Sequence, residues 1–514
     1  MSFAPASLPW LARHELRLAW RDWIAMATGG QHRRSIFLLL AVLALAAGLH
    51  WLTDALLRPW ATAGLYPDRP TLLLVTGSGV LFFTAMLSQA LESVTRAYYA
   101  RSDLELILSS PASARRLFAV RTTATALLTL ALACLLASPV INVLAWHDGP
   151  HWLAAYAVLA ALSAVSTAVA VLIAIGLFNL VGPQRTRLLA QIVAGIVGAG
   201  FVIGVQAIAI LAYGDYSRFA ILQSDELLTA APSAGHLLWL PARAAMGDLT
   251  ALSLMLPLAF AILAIVIVIT SRSFARHAVA AGGISRAPAA RQRSRSFRSG
   301  DPRQALRRKE WRLLRRDPWL LSQTLTQLLY LVPPALLLWV NFGSAAGVGI
   351  IVVPVLVMAS GQLAGGLAWL AISGEDAHDL VATAPVPPRL VLRAKIEAVV
   401  AVIAVVLAPL LVLLSLASPL SALVVALGAA LAAGSATAIQ LWFRMPMRRA
   451  MFRRRQVASR LATLSEAFVS IMWAGTAALL AAGSWMAIMA VVPAILAFAM
   501  LGFAWLLSPK GRPT

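Results

Sequence analysis

Charged residues are scarce in this sequence. Asp, Glu, Lys and Arg make up only 12% of its 514 residues, while 60% are apolar and the mean hydropathy is +0.82. Soluble globular domains carry about 25% charged residues. This composition therefore excludes a water-soluble enzyme, a disordered chain and a secreted disulfide scaffold. The single cysteine, Cys134, also excludes an intrachain disulfide.

Several site types are missing as well. A phosphate-binding loop needs Gly-Lys followed by Ser or Thr, and the three lysines lie instead in RRKEW, RAKIE and SPKGR. No HExxH or paired-cysteine metal motif occurs. We therefore expect a chain that is not an enzyme and has no ATP site, metal or cofactor of its own.

Long apolar runs dominate what is present. A helix needs about 20 apolar residues to cross the hydrocarbon layer. Twelve stretches qualify: 35–57, 71–92, 117–145, 152–181, 188–213, 249–271, 319–341, 347–372, 393–417, 421–443, 461–482 and 486–508. If the N-terminus is cytoplasmic, 38 of the 42 basic residues lie inside. This bias predicts an all-α polytopic protein with twelve spans and both termini in the cytoplasm, and it explains the net charge of +22 without nucleic acid.

Two motifs occur twice at the same place in the span order. LARHELRLAWRD (11–22) matches LRRKEWRLLRRD (306–317), each just before the first span of a set of six. The cytoplasmic segments DLELILSSPASARR (103–116) and AHDLVATAPVPPRL (377–390) also match, and in that register Arg121 corresponds to Lys395. The sequence therefore predicts two repeated six-span halves, 1–271 and 304–514, joined by a basic flexible linker, 272–303.

The first motif predicts an amphipathic helix before each half. Its arginines recur every four residues on one side, with Leu, Ala and Trp on the other. They are Arg13, Arg17 and Arg21 in the first copy and Arg308, Arg312 and Arg316 in the second. Such a helix lies in the membrane interface with its arginines towards lipid phosphates.

Together, ELRLAWRD and EWRLLRRDP before a span, and DLELILSSPASARRLFAVR and DLVATAPVPPRLVLRAK after the next, resemble ATP-binding-cassette exporter permeases of the ABC-2 type. The resemblance implies a transport subunit of the bacterial inner membrane, bound to a separate cytoplasmic ATPase in two copies that carries the ATP and magnesium. It also implies that 101–113 and 374–387 are coupling segments that dock on the ATPase. Their candidate contact residues are Asp103, Glu105, Leu106, Arg115, Asp379, Leu380 and Arg389.

The same resemblance implies a substrate path lined by the second and fifth spans of each half. The candidate lining residues are Phe82, Phe83, Met86, Gln89, Gln191, Gln206, Gln362 and Trp369. Apolar and aromatic walls with a few amides suit a hydrophobic or amphipathic substrate. Ordinary helix packing is the alternative interpretation of these residues. Gly200-x-x-x-Gly204 and Gly361-x-x-x-Gly365 predict close approach between helices.

Two other functions remain open. The first is a secondary carrier of the major facilitator kind, although the carboxylates within spans, Asp54, Glu92, Glu397 and Glu466, all lie near span ends. The second is a membrane enzyme or assembly factor that uses the acidic outer segment 214–248.

Overall fold

The protein was analysed as a computed structural model, and every regular element in the part it describes is a helix. The described segments are 32–62, 64–99, 113–213, 228–229, 231–282, 301–316, 331–333, 345–372, 380–381, 383–443, 460–483 and 486–508, with residues 10, 13, 14, 17, 21, 329 and 336 singly. No strand occurs in these segments, as the composition predicts.

The chain divides into two compact units. Unit 1 consists of residues 1–205 and 218–294, and unit 2 consists of residues 206–217 and 295–514. The boundary between 294 and 295 falls inside the predicted linker. The exact limits of the two halves and of the linker stay a prediction.

Unit 1 is organised around one alanine-rich helix. Its helices are α1 (His32–Ala61), α2 (Arg69–Tyr99), α3 (Ala114–His147), α4 (Ala154–Val181), α5 (Pro183–Tyr213, up to Val205), α6 (Leu240–Ala245) and α7 (Leu249–Gly282). The small side chains of Ala161, Ala164 and Ala168 on α4 are fully buried in a cluster with Leu91 and Val94 of α2. Because small residues let backbones approach closely, α2 and α7 both pack along α4.

Unit 2 is organised around its first long described helix. Its helices are α8 (Pro302–Arg316), α9 (Ala345–Ile372), α10 (Pro388–Ala417), α11 (Pro419–Trp442), α12 (Arg460–Ala482), α13 (Met486–Met489) and α14 (Val491–Leu507). Leu356 and Leu367 of α9 are fully buried in a cluster with Val425 of α11 and Val469 of α12. The helix α9 therefore forms the centre of this unit.

Tight turns end two of the helices and start the next. Gly182 has φ +75°, a conformation that side chains disfavour, and it ends α4 directly before Pro183. Ser418 accepts a hydrogen bond from the Ser421 N–H at 3.3 Å, directly before Pro419. Proline suits the first position of a helix, because its fixed φ is helical and its missing N–H would have no partner there.

Among the described residues, nine helices are long and apolar enough to cross a membrane. They are Arg69–Thr95, Ala114–His147, Pro150–Val181, Leu249–Ser271, Val352–Ile372, Pro388–Ala417, Pro419–Trp442, Ala462–Ala482 and Ala487–Leu506. The chain is therefore a multi-pass membrane protein. Predicted spans 35–57 and 188–213 lie within α1 and α5, which do not belong to these nine, and 319–341 lies almost wholly outside the described residues. The total of twelve spans stays a prediction.

Candidate functional site

The first coupling segment lies mostly outside the described residues, and so do its candidate contacts Asp103, Glu105 and Leu106. The structure begins again at Ser113, and α3 starts at Ala114. Arg115 is exposed on the first turn of that helix. Its side chain is therefore accessible at the exit of the segment.

The second coupling segment is described from Leu380 onwards, except for residue 382, while Asp379 lies outside the described residues. The Leu380 side chain is 74% exposed. Arg389 is also exposed, on the first turn of α10. Both predicted contact residues that the structure describes here are accessible to a partner.

Prolines shape the chain between these two residues. Pro385, Pro387 and Pro388 lie within four positions, and each is exposed. The N–H of Val386, the one backbone donor among residues 385–388, donates to the Ala384 carbonyl at 2.7 Å. Because proline fixes φ, this stretch has little backbone freedom.

A buried lysine joins the two helices on either side of this segment. Lys395 on α10 is only 6% exposed, and its Nζ donates a hydrogen bond to the carbonyl of Ala371 in the last turn of α9. The carbonyls at a helix C-terminus have no helical partner and carry partial negative charge, so a cation stabilises them. Lys395 therefore holds the end of α9 against the start of α10.

A second buried cation stands at the equivalent position of unit 1. Arg121 is 2% exposed and lies seven residues after the start of α3, just as Lys395 lies seven residues after the start of α10. These are the two residues that the sequence repeat aligns. The repeated motif thus places a buried basic side chain about two helical turns into the helix that follows each coupling segment.

The second amphipathic helix, α8, packs against α10. Arg307 Nε on α8 lies 2.6 Å from Glu397 Oε2 on α10, two residues beyond Lys395. Glu310 is buried, and its carboxylate lies 3.2 Å from Lys309 Nζ. This helix therefore contacts the same end of α10 as the coupling segment.

The predicted arginine stripe of α8 points away from that packed face. Arg308 and Arg312 are exposed, and the side chain of Arg316 lies outside the described part. In the first copy, Arg13, Arg17 and Arg21 are exposed. These positions leave the arginines accessible to lipid phosphates, and contact with lipid stays a prediction.

Three of the candidate path residues line one pocket in unit 1. Phe82, Met86 and Gln89 on α2 face α3 across a pocket of about 350 Å³. The neighbouring Phe83 instead packs with the buried core around α4. Phe82, Met86 and Gln89 therefore share one pocket and Phe83 does not, and a substrate path through these residues stays a prediction.

The other candidate path residues lie elsewhere. Gln191 Oε1 on α5 is buried without a hydrogen-bond partner among the described residues. Gln206 is buried and belongs to unit 2. Gln362 is exposed on α9, whereas Trp369 is buried in the core of unit 2. None of these four lines the pocket between α2 and α3.

Close helix approach occurs at one predicted glycine and at two that the sequence pattern missed, Gly198 and Gly428. A β carbon on Gly361 of α9 would lie 2.9 Å from Ser470 Cβ of α12, so the two helices touch there. A β carbon on Gly198 of α5 would lie 2.8 Å from Ser88 Oγ of α2. Among the described residues, a β carbon on Gly200 or Gly204 would meet nothing within 4 Å, so no close approach is found at that pair in this part of the chain.

Two hydrogen bonds between buried polar side chains join α11 to α12 in unit 2, and the sequence did not predict them. Glu466 on α12 is 6% exposed and accepts a hydrogen bond from Gln440 Nε2 on α11. Two turns further along α12, Trp473 Nε1 donates to Ser435 Oγ at 3.0 Å. Glu466 is visible in the sequence as a carboxylate near a span end, but its partner lies on another helix and has no sequence signal.

Polar residues also meet at one end of α1 and α3. His147 Nε2 lies 2.5 Å from Asp54 Oδ1, and the Asn142 amide lies 3.1 Å from His50 Nε2. Tyr156 donates to Asn142 Oδ1 at 2.8 Å. Two histidines, His50 and His147, therefore take part in contacts between α1 and α3. No group of three or more metal-ligating side chains that could hold a metal ion occurs in the described part of the chain.

The described end of segment 214–248 belongs to unit 1 and packs against α2. Trp239 is 4% exposed and clusters with Leu72 of α2. Asp248 accepts hydrogen bonds from the Thr250 hydroxyl, from the Ala251 N–H and from Arg243. These partners, the Thr250 hydroxyl first, lower the pKa of Asp248 to about 2. Asp215, Asp225 and Glu226 lie outside the described residues.

Comparison with known proteins adds no further constraint. No family model matches the sequence, and no curated protein or solved structure matches the chain.

Proposed function

We propose that this chain is the permease subunit of an ATP-driven exporter of the ABC-2 type. The observation that carries the proposal is the buried cation Lys395, which joins α9 to α10 on either side of the second coupling segment. Arg121 repeats the position in unit 1. A transporter driven by a separate ATPase needs a surface that receives the partner and a rigid connection from it to the spans.

In this proposal the ATPase contacts the exposed residues of each coupling segment. Leu380 supplies an apolar contact, and Arg389 and Arg115 supply positive charge beside it. Displacement of the segment moves α9 and α10 together, because Lys395 ties their ends. The tightly packed cluster of α9, α11 and α12 then carries the displacement into unit 2. ATP and magnesium bind on the partner subunit.

The test compares two leucines of similar exposure. Leu380 is 74% exposed, and Leu237, which lies outside the coupling segments, is 77% exposed. The tagged chain is purified from its native membrane in mild detergent. Proteins that co-purify with it are identified by mass spectrometry, and the sample is assayed for vanadate-sensitive ATP hydrolysis. We expect an ATPase subunit with the parent chain and with Leu237→Asp, and its loss with Leu380→Asp.

The double change Glu105→Lys with Leu106→Asp tests the first segment in the same way. Loss of the ATPase supports the proposed contact there. An ATPase that stays bound in both the Leu380 and the Glu105/Leu106 variants, with transport unchanged, would overturn the coupling assignment.

One observation favours a secondary carrier as the second candidate. Glu466 is a buried carboxylate within a candidate span, and such residues commonly bind coupling ions or protons. If the lone chain drives proton-coupled substrate uptake in liposomes, and Glu466→Gln abolishes it, the secondary carrier replaces the exporter.

A further inference from the structure

The pocket in unit 1 is formed by two neighbouring spans. One wall comes from α2, with Phe82, Ala85, Met86 and Gln89, and the other comes from α3, with Thr129 and Ala133 among others. Both walls lie well inside the candidate spans Arg69–Thr95 and Ala114–His147. A compound dissolved in the bilayer therefore has access to this depth without passing through water.

The lining excludes charge. None of the residues that line the pocket is ionisable, and all but Gln89 and Thr129 are apolar. An ion at this depth would find no counter-charge on the walls to offset its loss of hydration. A bound molecule is therefore neutral and mostly apolar.

Two polar groups remain at the pocket. The Thr129 hydroxyl already donates to the Thr125 carbonyl at 2.9 Å, in the same helix. The Gln89 amide hydrogen-bonds to no other group in the part of the chain that the structure describes. Gln89 is only partly buried, so its amide can offer both a donor and an acceptor to a ligand.

We propose that this pocket binds a neutral, mostly apolar small molecule with a single hydrogen-bonding group, and that Gln89 bonds that group. A volume of about 350 Å³ is near the lower limit of ligand pockets, roughly 300–1,000 Å³, so the molecule is compact. The identification of this ligand as the exported substrate rests on the proposed function. Binding itself does not, because the site lies within one unit of the lone chain.

Two dyes with the same ring frame test the charge preference. N-phenyl-1-naphthylamine is neutral with one N–H donor, and 8-anilino-1-naphthalenesulfonate adds a sulfonate to the same frame. Saturable fluorescence is measured with the purified chain in a neutral detergent, after subtraction of the detergent background. We expect saturable binding of the neutral dye and at least tenfold weaker binding of the anionic one.

Two matched substitutions locate the site. Ala85 lines the pocket and is exposed towards it, whereas Ala131 is exposed on α3 outside the pocket. Ala85→Phe fills the space and should abolish saturable binding, and Ala131→Phe should leave it unchanged. Gln89→Leu removes one hydrogen bond and should lower the affinity for the neutral dye by about two- to tenfold.

Three results would overturn the proposal: no saturable binding of the neutral dye, equal affinity for both dyes, or undiminished binding by Ala85→Phe. Unchanged affinity in Gln89→Leu would remove Gln89 from the site. A chain that binds the dye but brings down no ATPase would refute the proposed function and leave this site intact.

Discussion

Replacement of Lys395 by methionine tests whether one buried cation holds the ends of α9 and α10 together. Methionine keeps most of the aliphatic volume and removes the donor. The Ala371 carbonyl then loses its charged partner in a buried place, where a hydrogen bond to a charged group is worth about 1.5–3 kcal/mol. Since each ~1.4 kcal/mol is a factor of ten, local opening of the last turn of α9 should become about 10- to 150-fold more frequent.

Hydrogen exchange followed by mass spectrometry measures this opening directly. Amides near residues 369–372 should exchange faster by that factor, whereas the middle of α9 should not change. Arg393→Met is the matched control on the same helix, because its ion pair with Glu397 is 71% exposed on the arginine side and is worth about 0–1 kcal/mol. Lys395→Arg should restore most of the protection. The reasoning would be refuted if the amides near residues 369–372 exchanged at the same rate in Lys395→Met and in the parent chain. It would also be refuted if Arg393→Met raised their exchange rate as much as Lys395→Met.

Three further predictions concern stability, each measured by thermal unfolding of the purified chain. Gln440→Leu should cost about 1.5–3 kcal/mol, because the buried Glu466 carboxylate loses this donor, and Gln440→Leu with Glu466→Leu should recover much of the loss. If the single change is neutral, the pair does not contribute to stability. Gly361→Ala should cost about 1–3 kcal/mol of stability, because its new β carbon meets Ser470, whereas Gly200→Ala should be neutral or slightly stabilising. A larger loss of stability in Gly200→Ala than in Gly361→Ala would contradict this packing. The pKa of Asp248 in the folded chain, about 2, lies below its ordinary value of 3.8, so its ionised carboxylate stabilises the fold fully above pH 4 and this stabilisation disappears as the pH falls towards 2. The loss of stability between pH 4 and pH 2 should therefore be smaller in Asp248→Ala than in the parent chain.

The sequence predicted the helices better than it predicted their faces. Long apolar runs were enough to locate α3 and α10, because hydrocarbon thickness sets the length of a span. A helix that is apolar all round has no polar side to fix its rotation, so neighbouring residues on it cannot be assigned to a wall. For this reason Phe82 and Phe83 were predicted together, although they point to different surroundings.

Contacts between helices had even less sequence signal. Gly361 and Gly200 occur in the same small-xxx-small pattern, but among the described residues only Gly361 of the two has a neighbour at contact distance. Close approach depends on the side chain opposite, here Ser470, and that partner is more than a hundred residues away in the chain. The match between Arg121 and Lys395 was visible because it repeats within one chain, and both residues are buried.

The prolines of the second coupling segment limit how any partner can recognise it. Residues 385–388 have a single backbone N–H, and it is already used by the Ala384 carbonyl. This stretch therefore cannot extend a partner's β-sheet as an added strand, which would require regularly spaced donors. Recognition must come from side-chain packing and from donors supplied by the partner, and because the prolines are already fixed, little conformational entropy is lost when the partner binds.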